Sequence, residues 1–271
     1  MNTAVIFWLQ LLAAVLYAAA ALRQWVVVRG PGQRAIASAL WLGAGALALH
    51  TVAVAGQVFA DTEFLNLDLA YALSLFLWLA ILQFLLATLF LEVHLLGLVL
   101  FPLGGAMLLV EAFAPTGDSL QLDVTQPALA GHLVLSLLAY GTLTLAAVQA
   151  VLLRIQEGQL RSKRFGAMAR ILPAMQPMED LLFHLLRVGF VLLTLVILTG
   201  VVFSEQLLGQ PLTFDHKTVL SLIAWVVFGL LLWGHRRFGW RGRAAVRWTL
   251  SGYGLLLLAY FGVRIILELK A

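Results

Sequence analysis

The sequence predicts an all-α protein, a polytopic membrane bundle of about eight transmembrane helices with both termini outside. Three observations carry this. The 271-residue chain is 62% hydrophobic and only 11% charged, with a mean hydropathy of +0.99, which is more apolar side chain than one soluble core can bury. Apolar runs of about 18 residues or more recur, each long enough to cross a bilayer as a helix. The charges fall between the runs and alternate in sign from one connection to the next.

The spans are expected at about 4–22, 36–57, 69–90, 95–113, 129–153, 181–203, 217–234 and 248–268. The first has no basic segment ahead of it and no cleavage motif behind it, so it reads as a retained span, not a removed signal peptide. The second carries a small face, Gly43, Ala46 and Ala53 around His50, which permits close approach of another helix or a flat ligand. The fourth is short, and Pro102-Leu103-Gly104-Gly105 is a candidate break within it. The fifth carries one polar stripe, His132, Ser136, Tyr140 and Thr144, at i+4 spacing. A single stripe on an apolar helix belongs on the bundle interior. The seventh runs between an ionisable mouth, Phe214-Asp215-His216-Lys217, and a basic loop, His235 to Arg243. The eighth holds Arg264 and Glu268, one turn apart and set to pair or to snorkel.

Charge sets the orientation. Arg23, Arg29 and Arg34 follow the first span, Arg154, Arg161, Lys163, Arg164 and Arg170 the fifth, and Arg236, Arg237, Arg241, Arg243 and Arg247 the seventh. Acidic residues hold the alternate connections: Asp61, Glu63 and Asp68, then Asp118 and Asp123, then Glu205 and Asp215. The positive-inside rule places the basic loops in the cytoplasm. Within the long inner connection, Leu160–Ile171 is basic and amphipathic, and is expected to lie on the anionic inner leaflet. The sequence pI of about 9.8 therefore reflects topology, and the partner it implies is the lipid bilayer, not nucleic acid. There is no internal repeat and no soluble domain. With no cysteine, the chain has no disulfide and no thiolate metal site, so any ligand set is drawn from His, Met, Tyr and carboxylates.

This topology sorts the six histidines. His94, His184 and His235 lie at inner ends of spans, where histidine is ordinarily a solvated or capping residue. His50, His132 and His216 lie in the outer half or at the outer mouth. A neutral imidazole in a membrane needs a partner on each nitrogen. That partner is either a neighbouring helix or a metal, and both readings stand for these three. Lys217 is placed to anchor the outer mouth or to meet a ligand carboxylate, and Arg264 to neutralise an anionic ligand such as a propionate.

Several segments resemble a known family. His132-Leu133-Val134-Leu135-Ser136-Leu137-Leu138-Ala139-Tyr140 resembles the His-containing span of the CcsA-type cytochrome c assembly proteins, which handle haem. Phe214-Asp215-His216-Lys217, up to Trp225, resembles the end of that family's tryptophan-rich WWD motif and the helix after it. Gly239-Trp240-Arg241-Gly242-Arg243 and the later Phe261-Gly262-Val263 resemble its C-terminal signature, and Leu65-Asn66-Leu67 a segment ahead of its third span. The likeness covers roughly 64–266. It implies two N-terminal helices in residues 1–63 and a six-helix assembly-like domain in 64–271. The family has tryptophan where Phe214 stands, and proline and glutamate where His216 and Thr218 stand. The 200–213 segment has no tryptophan, and the sequence ends at Ala271, where full-length members carry a further outer histidine. What remains is similar to the small inner-membrane branch of YpjD type, close to the HemX-like proteins.

The resemblance implies non-covalent haem, with His132 as a ligand by matching position; His216, which has no counterpart in the family's motif, or His50 is expected to supply the second axial ligand. His132 and His216 are then the metal-binding pair, and Tyr140, Lys217, Trp225 and Arg264 belong to the cofactor site. It implies an inner-membrane protein of cytochrome c assembly or haem handling that binds and transfers without turnover, so not an enzyme. Its partners are cytochrome c assembly or haem-pathway proteins. Two other classes stay open: a transporter or accessory subunit for a cation or small metabolite, and a HemX-like protein that stabilises a partner.

Overall fold

The computed structural model describes residues 2–29, 36–57, 64–67, 69–113, 120–123, 126–162, 174–202 and 216–262. In chain order these form α1 (Thr3–Arg29), α2 (Ile36–Gln57), β1 (Phe64–Leu67), α3 (Leu69–Ala87), α4 (Gly97–Phe113), β2 (Leu120–Asp123), α5 (Pro127–Ser162), α6 (Met175–Val202), α7 (His216–Phe238) and α8 (Arg243–Leu257). Helix α8 runs on into a π-helical turn, Leu258–Gly262. Every expected span has its helix. Among the described residues seven helices are long and apolar enough to cross a membrane, and the chain is a polytopic helical membrane protein. The basic piece expected at Leu160–Ile171 lies outside the described residues beyond Ser162, where α5 ends.

Packing divides the chain into two compact units, Met1–Gln126 and Pro127–Ala271. The boundary at 63/64 implied by the resemblance concerns kinship and is a separate question.

In the N-terminal unit, α1 packs on α2 and α4, and α3 on α4 and α2. The buried seam of α1 runs through Ile6, Gln10, Ala13, Tyr17, Ala20, Gln24 and Val27, with Ala14 buried beside it. The steps alternate between four and three residues, the spacing of a helix that keeps one stripe against its neighbours. Three seam residues are polar, two turns apart, and each reaches another element. Gln10 Nε2 donates to Gln57 Oε1 at 3.2 Å, Tyr17 meets His50, and Gln24 Nε2 donates to the His94 carbonyl. Lipid gives no hydrophobic drive to helix association, so such bonds and close packing do that work. Arg29, in the last turn, lies 4.0 Å over the Trp25 ring.

The small face of α2 is buried as expected. Gly43, Ala46, His50 and Ala53 all face inward, and the Phe101 ring of α4 stands where a Gly43 side chain would be. Phe101 stacks on Tyr17 and takes Phe84 edge-on. Helix α4 runs unbroken through Pro102, so the candidate break does not form. The reason is close packing around the glycines that follow. A Cβ on Gly105 would lie 3.3 Å from the Ala14 carbonyl oxygen, and one on Gly104 2.5 Å from Ile81 Cδ1. The neighbours thus hold the helix although Pro102 withholds one donor.

The ribbon is an addition to the expected all-α plan. β1 and β2 pair antiparallel, from Phe64 opposite Asp123 to Leu67 opposite Leu120. It brings the connections after α2 and after α4 together.

In the C-terminal unit, α5 packs on α6 and α8, and α7 on α8 and α6. Pro127 opens α5, where its missing N–H costs nothing and its fixed φ suits the first turn. Helix α5 has 36 residues, about 54 Å, and so outruns a hydrocarbon core of about 30 Å. Close approach again falls at glycines: a Cβ on Gly189 would lie 2.6 Å from Leu143 Cδ2, and one on Gly252 2.8 Å from Phe228 Cζ. The turn between α7 and α8 uses two left-handed residues, Gly239 (φ 67°) and Gly242 (φ 53°).

Candidate functional site

The polar stripe of α5 meets a different helix at each step. His132 Nδ1 lies 2.9 Å from Thr199 Oγ1 of α6. Ser136 turns back, donating to the His132 carbonyl at 2.8 Å. Tyr140 hydrogen-bonds Ser221 of α7, and its ring lies 6.1 Å from that of Tyr260 in the π turn after α8. Thr144 donates to the Tyr140 carbonyl at 2.7 Å and lies 2.9 Å from the Tyr253 hydroxyl of α8. Since the Thr144 hydrogen is committed to its own helix, Tyr253 is the donor of that pair. Trp225 of α7 stacks on Phe190, ring centroids 5.5 Å apart, and its Nε1–H donates to Thr194 Oγ1 at 2.9 Å. The expected inward stripe is thus a column of hydroxyls and rings drawn from all four helices of this unit.

His216 opens α7 and is exposed, as is Lys217 beside it. Among the described residues neither makes a hydrogen bond. The structure gives His132 a threonine partner and leaves His216 exposed at the start of its helix. Arg264, the remaining candidate, lies outside the described residues. Among the described residues no three of His, Cys, Asp and Glu gather into a metal-holding group.

His50 sits in the N-terminal unit, fully buried. Its Nδ1 lies 3.3 Å from the Tyr17 hydroxyl of α1 and its Nε2 3.0 Å from Ser74 Oγ of α3. The Tyr17 ring meets it edge-on. Both imidazole nitrogens therefore have partners from neighbouring helices, and iron ligation by His50 would require releasing one of them.

Two of the remaining histidines differ in their surroundings. His235 stacks on Phe183 at 3.5 Å and its Nδ1–H donates to the Trp240 carbonyl at 2.9 Å. His184 is exposed. Beside this turn the buried Glu179 accepts the Gly242 N–H at 2.8 Å, fixing the start of α8.

Sequence reasoning missed Thr199, Ser221, Tyr253, Tyr17, Ser74 and Glu179 as partners. The seven-residue recurrence of Gln10, Tyr17 and Gln24 was the available signal for Tyr17. Thr199 had a weaker one, as a hydroxyl a turn from the outer end of an apolar span.

One observation bears on whether haem fits here. An axial ligand needs an imidazole with one nitrogen held by an acceptor and the other bearing a free lone pair. His132 has its Nδ1 on Thr199, and among the described residues its Nε2 makes no hydrogen bond. Gly200 adds no side chain next to the ring, since a Cβ there would lie 3.4 Å from His132 Cε1. These residues fit one axial ligand.

The fold and site together define a class: multi-pass helical membrane proteins that present a partly buried imidazole above an intramembrane column of hydroxyls and aromatic rings. Within it, the chain belongs to the cytochrome C assembly protein family, whose model matches residues 40–270. It is similar to inner membrane protein YpjD of Escherichia coli (strain K12), 38% identical over 177 residues, 64% of this chain and 66% of that protein. That match spans just under two thirds of the relative's length. Protein HemX of Bacillus subtilis (strain 168) is 23% identical over 250 residues, 91% of each chain. Cytochrome c biogenesis protein CcsA of Thermosynechococcus vestitus is 29% identical over 91 residues, 34% of this chain and 28% of that one.

Proposed function

We propose that this chain is a haem-handling protein of the bacterial inner membrane, acting in cytochrome c assembly or haem traffic by binding and transfer without catalytic turnover. Non-covalent haem would be held in the outer half of the C-terminal unit, in a topology with both chain termini outside. The observation that carries the reading is the His132–Thr199 contact, which occupies one imidazole nitrogen and leaves the other for iron. Membership of the cytochrome C assembly family supports it. When bound, haem supplies the exchangeable iron porphyrin, and the protein supplies the ligand and the surroundings. His132 would hold the iron, and His216, exposed at the start of α7, would be the second ligand. Tyr140 and Trp225 would flank the porphyrin. Lys217 and Arg264 are the proposed partners of the propionates. Cytochrome c assembly or haem-pathway proteins receive or deliver the haem.

The test is an absorption spectrum of the detergent-purified protein, oxidised and dithionite-reduced, beside His132→Ala and His216→Ala variants. The expected result is a Soret band with sharp reduced α and β bands, abolished by the first substitution and weakened by the second. A featureless wild-type spectrum after haem-replete expression would overturn the proposal.

A further inference from the structure

Among the described residues three threonines are used in the same way. Thr51, Thr194 and Thr199 each lie within 2.7–2.9 Å of the carbonyl oxygen four residues earlier on their own helix. Each also meets a ring nitrogen from a neighbouring helix. For Thr51 it is Trp78 Nε1 at 2.8 Å, for Thr194 Trp225 Nε1 at 2.9 Å, and for Thr199 His132 Nδ1 at 2.9 Å. An indole nitrogen can only donate. In the first two pairs the hydroxyl hydrogen therefore goes back to the helix and the lone pair receives the incoming N–H. Thr199 is doubly committed in the same direction, with the Val196 carbonyl at 3.0 Å as well. Ser136, Thr142 and Thr144 also turn their hydroxyls back to the fourth residue before them.

By the same geometry we infer that Thr199 is a positioning residue that accepts the Nδ1–H of His132 and so holds the imidazole in the tautomer whose Nε2 carries the lone pair. An unconstrained imidazole in water favours the opposite tautomer, with hydrogen on Nε2, which has no lone pair there to give. Thr199 thus selects the ligating form in advance and fixes the ring's rotation, the part an outer partner plays for a metal-bound histidine. The consequence for haem rests on the reading of His132 as a ligand; the tautomer itself does not.

The experiment has two arms. Haem-free, 15N-histidine-labelled protein in detergent is compared by 15N NMR with Thr199→Val and Thr199→Ser, the His132 signals being identified by their loss in His132→Gln. The expected result is an Nδ1–H tautomer in wild type and Thr199→Ser, shifted towards Nε2–H in Thr199→Val. An Nε2–H tautomer in wild type, or no shift on removing the hydroxyl, overturns the inference. In the second arm haemin is titrated into the same proteins. Thr199→Val is expected to lose about 10–100-fold in affinity, as outer partners of metal ligands do, while Thr199→Ser stays near wild type. A shifted tautomer with unchanged affinity overturns the positioning role. If no protein binds haemin while the tautomer responds as expected, the ligand reading fails and the Thr199 hydrogen bond stands.

Discussion

Trp240 occupies the side-chain position that Gly234 leaves empty: a Cβ on Gly234 would lie 2.6 Å from Trp240 Cδ2. The indole folds back from the turn onto the end of α7, and its other side stacks on Trp248 of α8, ring centroids 5.4 Å apart. The left-handed Gly239 reverses the chain so that the indole can reach.

Gly234→Ala is expected to push the indole out and lower stability by about 1–3 kcal/mol, the usual penalty of overpacking. Gly229→Ala, on the same helix, meets Phe190 at an ordinary 3.5 Å and serves as the control, with little change. Thermal unfolding in detergent, followed by tryptophan fluorescence, separates the two. Equal melting temperatures would mean that Trp240 does not occupy this position.

Glu179→Ala removes the acceptor of the Gly242 N–H and leaves that donor part-buried without a partner, at a cost of about 1–3 kcal/mol. Glu179→Gln keeps an acceptor of the same reach and should recover most of the loss. If glutamine is as damaging as alanine, the bond at 2.8 Å is not what Glu179 contributes.

His50 bridges α1 and α3 from α2, so its partners should be energetically coupled to it. A double-mutant cycle of His50→Ala with Ser74→Ala is expected to give about 0.6 kcal/mol of coupling, the average for polar pairs between membrane helices, and no more than about 1.7 kcal/mol. Zero coupling, measured by unfolding in mixed micelles, would remove Ser74 as its partner.

The two glycines of α2 should part company. Gly43→Leu collides with the Phe101 ring, whereas a Cβ on Gly45 meets nothing within 4 Å. Leucine at 43 is expected to abolish folding or cost several kcal/mol, of the order seen for severe core overpacking, and leucine at 45 to be tolerated. Yield and melting temperature of the two variants read this directly.

Much of the architecture was visible in the sequence because a bilayer imposes one demand throughout, a helix of about 20 apolar residues per crossing. That demand located every helix and misjudged several ends. α1 continues to Arg29 where hydropathy stopped at 22, and α5 continues to Ser162 where it stopped at 153. Backbone hydrogen bonding carries a helix past the apolar zone, and side chains such as Arg29 and Arg154 follow it into the interface. The β1–β2 ribbon was missed because four-residue strands give hydropathy windows almost nothing, although Leu65-Asn66-Leu67 and Leu120-Gln121-Leu122 do alternate. At the site, the α5 stripe was legible from i+4 spacing alone. Its partners were not, because Thr199, Ser221 and Tyr253 lie on three other helices, and spacing within one helix says nothing about register between helices. His50 was recognised as buried and polar, but only the packing of α1 and α3 shows that both its nitrogens are already engaged.

The ribbon has a mechanical consequence. Phe64 and Asp123 form its open end, and the chain enters and leaves there. Tension arriving through the segments on either side therefore pulls the strands apart in peeling geometry, one residue pair at a time, and not in shear across all four pairs at once. The ribbon closes the loop that holds α3 and α4 with only four residue pairs, so a pull arriving through both flanking segments would open it before it drew a helix out of the bilayer.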